Sequence, residues 1–166
     1  MHAALVERGI IRPDLSDAAL GQHGAFGAGP QIGDAVDVPP EQFRTVRASG
    51  LEFSFQREIV APWGDGYTGT INRCRECGRE TRLDDDPTAA PMFEGLQGWL
   101  DGGPLPSHRC EACGHRRSFG DLELEPRWCA ASFVINLWNW SVLRPEFERL
   151  MQELLPEDTV LIYDHL

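Results

Sequence analysis

The stretches Cys74-Arg-Glu-Cys77-Gly78 and Cys110-Glu-Ala-Cys113-Gly114 decide how this chain can fold. Each has two cysteines separated by two residues and followed by a glycine, and together they contain four of the five cysteines. Four thiolates at this spacing can surround one zinc ion at about 2.3 Å each. A glycine after the second cysteine suits a tight turn, because glycine adopts positive φ without steric cost. The sequence therefore predicts a single zinc site with the ligands Cys74, Cys77, Cys110 and Cys113.

Three other interpretations of these cysteines stay open from the residues alone. His108 or His115 could replace one cysteine as a ligand, because both flank the second pair. A pair could act as a redox dithiol, although that chemistry needs one pair at the start of a helix that follows a strand. The cysteines could also form structural disulfides. Four closed thiolate ligands would leave no position for a reactive water, so we predict that the zinc ion is structural.

Charge and composition narrow the possible partners. The 166 residues include 26 acidic and 15 basic side chains, a net charge of −11, and every basic residue is arginine. Such a surface repels phosphate backbones and favours basic partners. Without lysine, neither Schiff-base catalysis nor a phosphate-binding P-loop is available.

No apolar run approaches the roughly 18 residues of a membrane helix, and no apolar segment of a secretory signal follows Met1, so we expect a reducing, cytoplasmic location.

The spacing between the cysteine pairs bears on domain organisation. Residues 78–109 separate them, which exceeds the roughly 15 to 20 residues of a compact ribbon. The length of the chain fits one domain with a metal-held insertion. We therefore predict a single α+β domain over residues 1–166, with a helical and loop region at 1–50 and a zinc-binding insertion at 72–118.

Hydrophobic periodicity predicts the elements before the second cysteine pair. A short helix is expected over residues 3–8, ended by Gly9, and the glycine-rich segment 21–33 is expected to lack regular structure. Residues 51–59 alternate apolar and polar side chains like a half-buried strand. A second extended segment, 67–73, would complete a hairpin that delivers the first cysteine pair. A helix is predicted from Met92 to Leu100.

The C-terminal part has the most apolar pattern. Residues 130–140 are apolar on both faces of a strand, which is typical of a central strand. A helix is predicted from Pro145 to Leu155, because Phe147, Leu150, Met151 and Leu154 recur at helical spacing. A last strand is predicted at 159–163. Strand, helix and strand would form a β-α-β crossover in a mixed sheet.

No sequence motif of a known catalytic site is present. The chain lacks a nucleophile elbow, a His-Glu-x-x-His segment and a dinucleotide fingerprint, so we do not expect an enzyme. A metal-supported enzyme stays an alternative hypothesis. It would need a deep pocket lined by His108, His115 or the aspartates at 84–86.

The twin Cys-x-x-Cys-Gly pattern resembles the zinc ribbons and zinc knuckles of transcription, ribosome and RNA-processing proteins. The resemblance covers only residues 74–114 and implies metal binding. The C-terminal part, from Phe133 through the amphipathic helix to the final strand, resembles small bacterial proteins, some of which are immunity proteins that neighbour toxins. That second resemblance implies a protein partner.

The leading functional hypothesis is a zinc-binding module for protein–protein interaction, such as an immunity or inhibitor protein that neutralises a basic toxin or nuclease. Carboxylates would steer the basic partner, while aromatic side chains would supply interface energy. The alternative is a nucleic-acid-associated zinc ribbon that uses the arginines around the cysteines. The predicted interface residues of the leading hypothesis are Trp63, Trp99, Trp138 and Trp140.

Overall fold

The computed structural model describes residues 1–16, 24–37, 49–61, 69–157 and 159–162. The chain divides into two compact units, the first comprising residues 1–55 and 133–159 and the second residues 56–132 and 160–166. The helices are α1 (His2–Glu7), α2 (Ala89–Leu100) and α3 (Pro145–Leu154). The strands are β1 (Ile11–Ser16), β2 (Ala25–Ala28), β3 (Gly50–Ser54), β4 (Glu58–Val60), β5 (Ile71–Arg73), β6 (Glu80–Arg82), β7 (Ser107–Arg109), β8 (Arg116–Ser118), β9 (Glu123–Glu125), β10 (Cys129–Ala131) and β11 (Val134–Trp138).

The first unit is built on an antiparallel sheet with the strand order β1-β2-β3-β11. Strand β11 pairs with β3 in a register that places Ile135 opposite Phe53 and Leu137 opposite Leu51. Residues directly opposite share a face of the sheet, so these apolar side chains face one core. That core also receives Leu5 from α1 and the buried residues of α3.

Helix α3 forms for the reasons that its sequence indicates. Pro145 occupies the first turn, where its missing amide leaves no hydrogen bond unmade, and Glu146 and Glu148 lie at the positive helix end. Phe147 and Met151, four residues apart, are buried. Burial of the phenylalanine side chain contributes roughly 1.5–3 kcal/mol to folding. The predicted helix is confirmed to within one residue.

The second unit contains three small antiparallel sheets and helix α2. Their strand orders are β6-β5-β9, β7-β8 and β10-β4. The core of this unit forms where Met92 and Leu96 of α2 contact Leu83, Phe119 and Leu124. The cysteine pairs lie in the β5–β6 and β7–β8 connections of the same unit.

The predicted α+β class is confirmed, but three predictions about its strands are wrong. They are the parallel pairing in a mixed sheet, the hairpin of 51–59 with 67–73, and the single strand at 130–140. Every strand pairing in the described residues is antiparallel. Strand β3 pairs with β2 and β11 and not with β5, because alternation reveals a half-buried strand but not its partner. Residues 130–140 form two strands, β10 and β11, which belong to different sheets. Apolar side chains occur on both faces of this run because it combines two strands.

The predicted β-α-β crossover is not formed. Residues 159–162 contain no strand, and Tyr163 lies outside the described residues. The segment from Val160 onwards belongs to the second unit, whereas β11 and α3 belong to the first. Within the described residues, therefore, no strand follows α3 and returns to the sheet of β11.

The N-terminal region contains more strand than predicted. The segment 21–33 includes β2 and a 3-10 turn at Ile32–Asp34, so the expectation of no regular structure there is wrong; residues 21–23 lie outside the described part. A Cβ on Gly29 would lie 2.1 Å from the Gly9 carbonyl oxygen. The absence of a side chain at Gly29 therefore allows its backbone to lie close to that of Gly9. The short helix α1 ends before Gly9, which has φ of +69°, as predicted. Among the described helices, none has both the length and the apolar composition that crossing a bilayer requires.

Candidate metal centre

Two short hairpins with the same turn geometry carry the cysteine pairs. In the first, the Cys74 amide donates to the Arg79 carbonyl at 2.9 Å and the Gly78 amide to the Cys74 carbonyl at 2.8 Å. In the second, the Cys110 amide donates to the His115 carbonyl at 2.9 Å and the Gly114 amide to the Cys110 carbonyl at 2.8 Å. Both glycines have positive φ, +70° and +74°. The two turns therefore have equivalent geometry, which is consistent with metal-binding knuckles.

The sulfur positions fit one tetrahedral ion. Cys74 Sγ lies 3.7 Å from Cys113 Sγ, and Cys77 Sγ lies 3.8 Å from Cys110 Sγ. All four sulfurs lie within 4.8 Å of one another. A tetrahedron with zinc–sulfur bonds of 2.3 Å has edges of about 3.8 Å. The four thiols therefore already have the spacing of a four-thiolate zinc site.

The pKa values of the Cys74 and Cys113 thiols are shifted in opposite directions. A hydrogen bond from the Cys77 amide lowers the pKa of Cys74 to about 7, which favours the thiolate at this sulfur. At Cys113 the His115 amide favours the thiolate, but burial and the hydrogen bonds among the four sulfurs outweigh it and raise the pKa to about 12. A divalent cation held by these four cysteines would favour the thiolate form of each of them.

The structure argues against the three alternative interpretations of the cysteines. The four knuckle cysteines form no disulfide, and their sulfurs are much farther apart than the roughly 2.05 Å of an S–S bond. Neither pair begins a helix, as a thioredoxin-like dithiol would. Among the described residues, the four cysteines are the only group of at least three His, Cys, Asp or Glu side chains close enough to hold one metal ion. Neither histidine belongs to that set.

His108 instead belongs to a buried polar network beside the centre. Its Nε2 lies 2.9 Å from Asp86 Oδ2 and 2.9 Å from Thr88 Oγ1, and its Nδ1 lies 3.4 Å from Asn72 Nδ2. A cavity of about 10 Å³ adjoins Asn72, His108 and Cys110, which is space for at most one water. Asn72 Oδ1 is buried and has no described hydrogen-bond partner. The network therefore links the start of α2 to both knuckle hairpins.

Of the remaining residues of the enzyme hypothesis, His115, Asp84 and Asp85 are exposed and Asp86 is buried. His115 Nε2 is 3.9 Å from Glu76 Oε1, and its side chain is 43% exposed. Asp84 forms an ion pair with Arg82 at 2.8 Å, and this hydrogen bond holds the pKa of the carboxyl below its usual range. Asp86 points inward to His108. Asp84 and Asp85 thus share Arg82 as a partner, whereas Asp86 contacts His108, and His115 lies near Glu76 and not near these aspartates.

Seven arginines flank the cysteines, and most of them are neutralised. The ion pairs join Arg73 to Glu80, Arg75 to Glu123, Arg82 to Asp84, and Arg117 to Glu76. Of these seven, three exposed arginines have no acidic partner among the described residues: Arg79, Arg109 and Arg116. Pairing with acids thus accounts for four of the seven, and the other three leave positive charge at the knuckles.

The predicted interface tryptophans occupy different environments. Trp99 is 7% exposed in the core of the second unit, which leaves little area for a partner. Trp138 is half-buried and donates its Nε1–H to Glu52 at 2.7 Å, and Trp140 is half-buried against Phe147. Trp63 lies outside the described residues. Only Trp138 and Trp140 therefore have described positions that offer partial surface.

Sequence reasoning missed the aromatic side chain that is most exposed among the described residues. Phe55 is 78% exposed, and its ring centroid lies 5.1 Å from that of Phe133. The alternating pattern assigned Phe55 to a buried strand face, whereas β3 ends at Ser54. The three consecutive polar residues at 56–58, directly after Phe55, could have indicated that the strand ends before the phenylalanine.

The chain was compared with known proteins by sequence and by structure. It matches none of the protein-family models, curated proteins or solved structures. The resemblance to zinc ribbons therefore rests on the knuckle residues and on their geometry.

Proposed function

We propose that this chain is a zinc-binding protein in which the metal is structural and the function is to bind another protein. The sulfur separations of 3.7 and 3.8 Å support the metal, because they equal the edges of a zinc–thiolate tetrahedron to within about 0.1 Å. Four protein ligands complete such a site. The ion then stabilises the two hairpins and leaves recognition to the protein surface.

The exposed ring of Phe55 is the observation that supports protein binding. A phenylalanine that is 78% exposed and contacts a second aromatic ring is a typical anchor for a partner. Trp138 adds a half-buried indole to the same unit. Aromatic anchors supply interface energy when a partner excludes water from them.

The net charge of −11 determines the chemistry of the preferred partner. Surface carboxylates accelerate encounter with a cationic protein and slow encounter with an anionic one. A basic toxin or nuclease, neutralised by this chain as an immunity or inhibitor protein, fits that charge best.

The test is a titration of this chain into candidate basic toxins and nucleases, with binding measured by calorimetry and the remaining activity of the toxin or nuclease assayed. We expect tight binding, loss of that activity, and an association rate that falls steeply with salt. Phe55→Ala should weaken binding at least about tenfold, whereas Leu161→Ala, a matched change of an exposed apolar residue, should not. Absence of binding would reject the toxin partner, and an unaffected Phe55→Ala variant would reject the proposed surface.

Nucleic-acid binding is the second candidate, and the three unpaired arginines at the knuckles favour it. It predicts binding to random RNA or DNA at low salt, with an affinity that falls by roughly one power of salt concentration per phosphate contacted. Binding that persists after Arg79→Gln would exclude a contribution from that arginine. Absence of binding to RNA and DNA at low salt would reject this candidate.

A further inference from the structure

The two knuckle hairpins differ at one pair of positions that their common geometry makes equivalent. In the first hairpin, the residue before the first cysteine, Arg73, lies directly opposite Glu80 and forms an ion pair with it. In the second hairpin, the corresponding residue, Arg109, lies directly opposite Arg116. The opposite charges of one hairpin are therefore replaced by like charges in the other.

Two arginines directly opposite across strands destabilise a hairpin, since their Cβ atoms lie about 5 Å apart and their charges repel. Both side chains are exposed, and neither has an acidic partner among the described residues. The guanidinium of Arg109 lies over its own knuckle, with one nitrogen 3.3 Å from where a Cβ on Gly114 would lie. This arrangement presents two guanidinium groups to solvent beside the metal centre.

We propose that Arg109 and Arg116 together bind a carboxylate side chain of an acidic protein segment. Guanidinium groups donate paired hydrogen bonds that match the two oxygens of a carboxylate, and a bound anion relieves the repulsion between them. The site lies in the second unit, on a different element from Phe55, and it does not depend on a basic partner.

The number of available charges favours a carboxylate segment over a nucleic acid. Proteins that hold a phosphate backbone neutralise roughly six to ten phosphates. The knuckles offer three arginines without an acidic partner, because four of the seven are in ion pairs. The net charge of −11 also repels a long polyanion more strongly than a short acidic segment.

The decisive variant is Arg116→Glu, because it gives the second hairpin the arginine–glutamate pairing of the first. It should stabilise the hairpin slightly while removing the anion site, so a loss of binding cannot be attributed to unfolding. Arg127→Glu makes the same charge change at an exposed arginine outside both hairpins and is the matched control. Zinc content and the thermal unfolding midpoint are measured for each protein, so that a failed metal centre is recognised separately.

The probe is a short fluorescent oligo-glutamate peptide, compared with an oligothymidylate of equal length at low salt. We expect the peptide to bind the zinc-loaded protein, and Arg116→Glu to weaken that binding at least about tenfold while Arg127→Glu changes it less than about threefold. Equal weakening by both variants would indicate general charge attraction and overturn the site. Tighter binding of the oligothymidylate than of the peptide would overturn the choice of partner.

Discussion

His108 Nε2 lies 2.9 Å from Asp86 Oδ2, and the two side chains are only 4% and 2% exposed. His108 belongs to β7, two residues before a knuckle cysteine, and Asp86 lies two residues before Thr88, the N-cap of α2. Asp86 Oδ1 also accepts a hydrogen bond from the Thr88 amide at 2.8 Å. One carboxylate thus connects the start of a helix to the strand that positions the metal centre.

Asp86→Asn should destabilise the protein at neutral pH by about 2 kcal/mol, because a buried carboxylate loses its charge-assisted hydrogen bonds. Burial alone would raise the pKa of Asp86, but hydrogen bonds from Thr88 and His108 outweigh it and hold the pKa below the usual 3.8. The folded state therefore binds this proton more weakly than the unfolded state. The carboxylate stabilises the fold above about pH 4, and its contribution disappears as the pH falls through the folded-state pKa.

Urea unfolding of both proteins between pH 7 and pH 3 measures this effect. The difference between wild type and Asp86→Asn should shrink as the pH falls, whereas Glu94→Gln, a control on the exposed face of α2, should stay close to wild type. Acid also removes the metal from all three proteins, so only the differences between them are informative. A difference that is constant with pH would contradict the proposed role of the charge.

Removal of one thiolate should abolish stable zinc binding. Cys77→Ser should lower the zinc content from one ion per chain to well below that value, because three thiolates leave the tetrahedron open. Cys129→Ser removes the fifth cysteine, which lies in β10 and not in the metal cluster, and should retain a full zinc ion. Elemental analysis after dialysis against a chelator distinguishes the two variants. Full zinc retention by Cys77→Ser would contradict the four-cysteine site.

Chelation should remove hydrogen-exchange protection first from the strands β5 to β8. These strands have only three residues each, which is too few to be stable without a further constraint. The amides of β3 and β11 serve as the internal reference, because their sheet contains a core without the cysteines. Unchanged protection of the knuckle strands after complete zinc removal would show that the metal does not stabilise them.

Gly78→Ala should weaken zinc binding and destabilise the first knuckle by about 1–2 kcal/mol, because φ of +70° strains any residue with a Cβ. No other atom lies within 4 Å of the added Cβ, so backbone strain alone produces the loss. Gly98→Ala is the control. That glycine lies inside α2 with open space around its Cβ position, and the change should stabilise the helix by about 0.5–1 kcal/mol. Competition with a chromophoric chelator and thermal unfolding measure both effects.

The Arg57 side chain caps the C-terminal end of helix α2. Arg57→Lys should therefore destabilise the second unit by about 1 kcal/mol. The Arg57 guanidinium donates to the carbonyl oxygens of Trp99 at 2.6 Å and Gly103 at 2.8 Å, and it lies 5.2 Å from the Trp99 ring centroid. Lysine keeps the charge but has no planar group to bridge two carbonyls. Arg127→Lys should leave the unfolding midpoint unchanged, and an equal response from both variants would contradict the bridging role.

Local sequence was enough to predict features that depend on residue type and spacing. The cysteine spacing and the following glycines predicted the knuckle turns, and the periodicity around Phe147 predicted α3. The buried face of α2 was harder to predict. Met92, Leu96 and Trp99 are buried there, whereas Leu100, the last residue of the helix, is 36% exposed. A helix with many apolar residues does not reveal which of them its neighbours cover.

The amino-acid sequence by itself determined the candidate metal ligands, the α+β class and the strong negative charge, since each follows from local spacing or composition. Only the tertiary structure decided which strands pair, where the run from 130 to 140 divides, and which arginines lack an acidic partner. The physical reason is distance along the chain. Contacts such as His108 with Asp86, or Arg75 with Glu123, join residues 22 and 48 positions apart. Periodicity over a few residues cannot identify them.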